Sequence, residues 1–281
     1  MRQIKAHHLI LTAIILPMIF IVAGSFMAPK YLSTAYGEYD NILLWSQPSA
    51  AHWLGTDGIG YDVLEFLLKA INTDILLFTL PVFLFILFGV GLGITLSYVK
   101  GRTNAIFDAA FNLLNSIPLI LILLLILIII EGFFPGFDTF EKLLLLFSLF
   151  AIVSSSKLAI ETRGKIDSIK TSDFIESTRA LGVSRVKILF KHILYYYCST
   201  LIIANVLNFI SQLIFIEITL AYLKLGAAGK VISLGYMFSR YFSSINAFTD
   251  WNQWQIAIPS LITIYIISVL TLLAKKMEQN V

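Results

Sequence analysis

The chain has 281 residues, of which 58% are hydrophobic and 13% charged, with a mean hydropathy of +0.86 and a formal net charge of +3. A soluble domain carries about 25% charged residues to cover its surface, so too little charge is present here for one, and the small basic excess is no nucleic-acid signal. A lone cysteine, Cys198, excludes an intrachain disulfide and any thiol metal cluster built by this chain by itself.

The first apolar stretch, 9–28, follows the basic residues Arg2 and Lys5 and carries no charge. A membrane core about 30 Å thick needs about 20 apolar residues in a helix, whereas the apolar part of a signal peptide has about 7 to 15, so an uncleaved span is expected. A long outer loop, 29–74, comes next. Further spans are expected at 75–99, 109–130, 143–160, 192–216 and 251–274. The segment at 143–160 is short, with 14 uncharged residues before Lys157, and reaches full length when Lys157 snorkels outward.

Six crossings put both termini on one side. Placing the N-terminus, the 100–108 loop, the 157–191 loop and the C-terminal tail inside gathers 14 of the 20 basic residues there, which predicts cytoplasmic termini. Trp45, Trp53, Trp251 and Trp254 then all fall on the outer side, where aromatic rings favour the headgroup level. The chain shows no internal repeat and no charged or Ser/Gly-rich linker, so one all-α, polytopic membrane domain over 1–281 is expected.

The cytoplasmic loop 161–191 holds the most informative run, from Asp173 to Leu194. Asp173 is a plausible N-cap with Glu176 three residues on, Gly182 suits a helix end, and Ser184 can cap a second helix. The first helix would last about two turns, too short to be stable alone. Phe174, Thr178 and Leu181 would share its apolar face. Two readings fit such a helix: docking into a groove on a partner, or resting on the lipid surface.

Glu176-Ser-Thr-Arg-Ala-Leu-Gly182, followed by Ile193-Leu194, resembles the EAA loop of ABC-type importer permeases. Two further matches occur in the same chain. His52-Trp-Leu-Gly-Thr-Asp-Gly-Ile-Gly-Tyr-Asp62 resembles the LGTDxxGRD signature of the dipeptide, oligopeptide and nickel permeases, in their C-type subunit. Glu217-Ile-Thr-Leu-Ala-Tyr-Leu-Lys-Leu-Gly226 resembles their ExSLSFLGLG segment. The resemblance covers roughly 5–275 and implies a type I ABC importer permease fold with six transmembrane helices.

It implies that Phe174, Glu176, Thr178, Arg179, Ala180, Leu181 and Gly182 couple to an ATPase subunit, and that Gly55, Asp57, Gly60 and Asp62 form the outer signature. Implied partners are a second homologous permease, cytoplasmic ATP-binding subunits carrying ATP and Mg, and an extracytoplasmic solute-binding protein, in the cytoplasmic membrane of a bacterium. The cargo would be a peptide or similar solute, with nickel or a metal chelate as the alternative. The sequence departs from the pattern at Tyr61, where Arg is usual, at Ser177 and Thr178, which replace two alanines, and at Tyr195, where Pro is usual. It also lacks the usual GDxLRDxLDP tail. Without the proline the coupling segment should run continuously into the fifth span.

Asn205, Asn208, Gln212 and Thr219 recur at helical spacing along the fifth span, and Asn112 and Asn115 sit at the start of the third. Polar stripes in lipid face protein or water, so these residues either line a translocation path or pack helices together. Glu217 is a helix-end charge or, by its place in the family segment, part of an outer gate.

The run Gly226-Ala-Ala-Gly-Lys-Val fails the spacing of a phosphate loop, and the four histidines lack metal-ligand spacing, so neither a cofactor nor a metal is expected on this chain. A membrane-embedded enzyme needs a nucleophile and base within the spans, and Ser211 stands isolated, so a non-catalytic subunit is expected.

Overall fold

The computed structural model describes residues 15–26, 45–58, 60–99, 101–225, 231–243 and 254–279. Helices dominate: α1 Ile15–Phe26, α2 Val63–Tyr98, α3 Arg102–Ser116, α4 Leu119–Phe133, α5 Thr139–Lys170, α6 Asp173–Ala180, α7 Arg185–Lys187, a π-helix Ile188–Cys198, α8 Ser199–Tyr222, α9 Leu234–Ser243 and α10 Trp254–Glu278. The only β pairing among the described residues is an isolated bridge between Thr56 and Asp62. The expected all-α class holds.

Among the described residues four helices are long and apolar enough to cross a membrane: Val63–Tyr98, Thr139–Lys170, the continuous helix Arg185–Tyr222, and Ile256–Glu278. The expected third span, 109–130, is not one straight helix. It is α3 and α4, bent by 95°. The cause is Pro118, which has no N–H and disfavours helical geometry in the preceding residue, so Ile117 is extended at φ −78 and ψ 129. Counted as one span, the pair makes a fifth. Of the expected first span, α1 is described and the remainder lies outside the described residues.

Other boundaries move as well. The outer loop expected at 29–74 already turns helical at Val63, and the inner loop expected at 161–191 is largely helical, since α5 continues to Lys170. The 32 residues of α5 remove the length problem at 143–160. Its start is fixed by a capping box: Asp138 accepts from the Glu141 N–H at 2.8 Å, and Glu141 accepts from the Asp138 N–H at 2.9 Å.

The chain groups into two compact units, residues 1–77 with 212–270, and residues 78–211 with 271–281, their boundaries falling inside α2, α8 and α10. In the first unit Asn72 of α2 donates from Nδ2 to Ser25 O of α1 at 3.2 Å, and the Phe66 ring lies beside those of Tyr61 and Tyr236.

In the second unit α5 is the element against which α3, α4, α6 and the π-helix pack. Phe209 stacks between Phe85, at 4.2 Å between centroids, and Phe150, at 6.0 Å. Two glycines four residues apart let α2 press on α5: a Cβ on Gly89 would lie 2.6 Å from the Leu158 side chain, and one on Gly93 2.8 Å from Thr162 Cβ and 3.0 Å from Ala159 O. This is the small-residue packing that lipid-embedded helices use where no hydrophobic drive separates protein from solvent. Gly91, between them, has no atom within 4 Å of a Cβ built there.

Gly93→Val should therefore force α2 off α5 and lower the melting temperature of the detergent-solubilised chain, with a cost of roughly 1–3 kcal/mol for overpacking. Gly91→Ala should melt like the parent, as read by a fluorescence-monitored thermal ramp.

Candidate functional site

At two turns α6 cannot hold its own shape, so its direction depends on what it buries. Ile175, fully buried, enters a cluster with Ile166 and Ile169 of α5 and with Ile188, Ile193 and Cys198 of the π-helix. The outward side carries Phe174, 51% exposed, and Leu181, 84% exposed, with Glu176, Arg179, Ala180 and Gly182 also exposed.

Thr178 does not share that outer face as expected. It turns inward beside Ile175, and its hydroxyl donates to Phe174 O at 2.7 Å, which keeps the buried Oγ1 satisfied.

The ends of α6 are set by local chemistry. Asp173 is inside the helix rather than at its N-cap; Ser172 takes that position, its hydroxyl donating back to Ile169 O at 2.8 Å. At the far end Gly182 adopts φ +81, the left-handed conformation that costs an L-residue about 1–2 kcal/mol. Its N–H donates to Arg179 O at 3.0 Å, and the Val183 N–H donates to Thr178 O at 3.4 Å. These two bonds are the Schellman termination. Ser184 then caps the next helix as expected, accepting from the Lys187 N–H at 3.4 Å. No break occurs at Tyr195: the chain continues from Arg185 to Tyr222, with i→i+5 bonding through Ile188–Cys198.

A second constellation lies in the first unit. Gly55 and Gly60 both have positive φ and fold the 52–62 segment back on itself, so that the Asp57 carboxylate accepts from the Tyr61 N–H at 2.9 Å. Asp57 Oδ2 also meets Arg240 Nη2 of α9 at 2.8 Å, a contact of charges rather than an aligned hydrogen bond. The Arg240 guanidinium lies 4.9 Å from the Tyr61 ring centroid and 5.5 Å from that of Phe66. Tyr61, a departure from the signature, thus gives this arginine an aromatic face. Asp62 accepts from the Glu65 N–H at 2.9 Å at the start of α2, and its other oxygen lies 2.9 Å from His52 Nδ1.

Glu217, 3% exposed, accepts from Ser233 Oγ and from the Gly235 N–H, both at 2.5 Å. Asp74 Oδ2 accepts from the Leu234 N–H at 3.3 Å. Two buried carboxylates therefore converge on the N-terminus of α9, where unpaired N–H groups and the helix dipole favour negative charge. Sequence reasoning missed Asp74, Ser233 and Arg240. Ser233 was legible as an N-cap type before the apolar run of α9, but Arg240 finds Asp57 only through the fold.

The candidate path residues do not form one open stripe. Asn205 is buried and donates from Nδ2 to Glu161 Oε2 at 2.7 Å, and Asn208 donates to Glu278 Oε1 at 3.0 Å. Gln212 is exposed, and Thr219 donates to Phe215 O at 2.7 Å. On α3, Asn112 is exposed, while Asn115 Oδ1 accepts from Ser156 Oγ at 3.1 Å. Among the described residues no group of three or more His, Cys, Asp or Glu side chains is arranged to hold a metal ion.

Residues 86–281 match the family described as the binding-protein-dependent transport system inner membrane component. The chain belongs to that family. It is a multi-pass permease subunit of an ABC importer. The permease is 25% identical over 238 residues to the dipeptide transport system permease protein DppC of Alkalihalophilus pseudofirmus, covering 85% of this chain and 75% of the relative. It is 23% identical over 260 residues to the oligopeptide transport system permease protein OppC of Bacillus subtilis, covering 92% and 80%. It is 26% identical over 239 residues to the glutathione transport system permease protein GsiD of Escherichia coli O157:H7, covering 84% and 75%.

In this permease Glu217→Ala should leave Ser233 Oγ and the Gly235 N–H buried without their acceptor, at a cost of about 1–3 kcal/mol. The expected readout is faster hydrogen exchange at α9 with unchanged exchange at α6.

Proposed function

We propose that this permease moves peptides inward and that α6 is the element through which ATP-binding subunits drive it. The observation that carries the reading is the division of α6 into a buried anchor, Ile175, and an exposed apolar pair, Phe174 and Leu181, which flank the exposed Glu176, Arg179 and Ala180. Large apolar side chains held out on a fixed two-turn helix suit insertion into a groove on another protein. The agreement of this segment with the EAA pattern supports the same role.

The basic bias of the loops at 100–108 and 157–191 supports cytoplasmic termini and an α6 on the side where ATP is available. In this mechanism closure of the ATP-binding subunits pushes on α6, and the cluster around Ile175 passes the displacement to α5 and the π-helix. Nucleotide biases the permease between outward-open and inward-open states only because the two states differ in affinity for the ATP-bound partner. A second permease completes the path, and a solute-binding protein delivers cargo to the outer side, where Asp57, Arg240 and Glu217 brace α9. The relatives named for dipeptide, oligopeptide and glutathione transport support a peptide cargo ahead of nickel or a metal chelate.

Leu181→Asp should weaken retention of the ATP-binding subunit by roughly 30-fold, about 2 kcal/mol for loss of an exposed apolar anchor, while leaving membrane insertion intact. Normal peptide-stimulated ATPase activity in that variant would remove α6 from the coupling role. Gly182→Trp tests the same element: local strain of about 1–2 kcal/mol and a bulky exposed side chain should lower peptide uptake per ATP hydrolysed.

A further inference from the structure

The i→i+5 register of Ile188–Cys198 sorts the side chains that enter the fifth span in a way an α-helix would not. Residues about four to five apart share a face in this register. On the inner side Ile188, Ile193 and Cys198, five apart, are all buried. On the outer side Lys187, Lys191 and Tyr196 fall in one column, and Val186, Phe190 and Tyr195 in the next. An α-helix, at 3.6 residues per turn, would swing Tyr196 well away from the two lysines. Val186, Phe190, Tyr195 and Tyr196 are 67%, 59%, 68% and 60% exposed, so this is a broad cationic and aromatic surface.

Its charge is uncompensated. No Asp or Glu occurs from Ser177 to Ile216, while Arg185, Lys187 and Lys191 lie in the same stretch, and among the described residues none of the three makes an ion pair. The surface sits where the chain passes without a break into the apolar helix α8. We propose that this face binds the headgroup of an anionic phospholipid of the cytoplasmic leaflet, with Lys187 and Lys191 on the phosphate and Tyr195 and Tyr196 at headgroup depth. The sign of the charge selects an anionic lipid, and the exposed rings beside it suit the membrane interface. The proposal rests on the cytoplasmic placement of this segment given above, and it uses none of the outward residues of α6.

The test uses the complete transporter, purified with its partner subunits into nanodiscs of phosphatidylcholine alone or with phosphatidylglycerol, and native mass spectrometry to count retained phosphatidylglycerol. The double variant K187Q/K191Q should hold phosphatidylglycerol roughly 30-fold more weakly, about fivefold per near-surface lysine. The variant K187R/K191R should hold it like the parent. Equal retention by the glutamine variant, or loss in the arginine variant too, overturns the proposal. So does a glutamine variant that sheds the ATP-binding subunit while keeping its lipid, since the face would then belong to that protein. Leu181→Asp separates the two ideas: loss of the ATP-binding subunit with phosphatidylglycerol still bound supports both. Loss of the lipid in that variant overturns the lipid site as an independent one.

Discussion

Burial of Ile175 is the contact on which the packing of α6, α5 and the π-helix turns. A two-turn helix gains too few backbone hydrogen bonds to offset the cost of ordering it, and tertiary packing must supply the rest. Ile175 does so by joining side chains from α5 and the π-helix, so α6 becomes a rigid projection of those two elements rather than a loop beside them. The Schellman end at Gly182 serves the same purpose, because it satisfies the last carbonyls of α6 without help from a partner.

The unit of residues 1–77 with 212–270 solves a comparable problem with charge. Here a short helix, α9, is fixed at its N-terminus by Glu217 and Asp74 and along its length by Arg240 on Asp57. Buried carboxylates are expensive unless hydrogen-bonded, and those at the start of α9 recover part of that cost from N–H groups that a helix end leaves unpaired. The two signature segments, around Asp57 and Glu217, thus converge on α9, which neither contains.

Much of this was legible in the sequence because the relevant constraints are local. Lipid demands about 20 apolar residues per crossing, so the apolar runs announced the helices, and Gly182 and Ser184 announced the end of α6 and the start of α7 through cap chemistry. The bend at Pro118 was visible as a proline, but an expected span of about 20 residues runs across it, joining the polar end of α3 at Asn112, Asn115 and Ser116 to the uniformly apolar start of α4. Which face of α6 turns inward could not be read, because Ile175 is drawn in by residues of α5 and the π-helix that periodicity within α6 does not see. Asn205 and Asn208 kept the helical spacing expected of a path, yet each meets a carboxylate from a distant helix, Glu161 or Glu278. The five-residue spacing of Ile188, Ile193 and Cys198 is present in the sequence, but it becomes a pattern only in the π register.

The length of α5 has a mechanical consequence. At about 1.5 Å per residue its 32 residues extend for roughly 48 Å, whereas the hydrocarbon core is about 30 Å thick. More than a third of this helix therefore lies outside the apolar layer, and the Ile166 and Ile169 positions that grip α6 are on its last turns. The Gly89 and Gly93 contacts fall at Leu158 and Thr162, about one to three turns before that grip, so the part of α5 that holds α6 is also the part braced against α2.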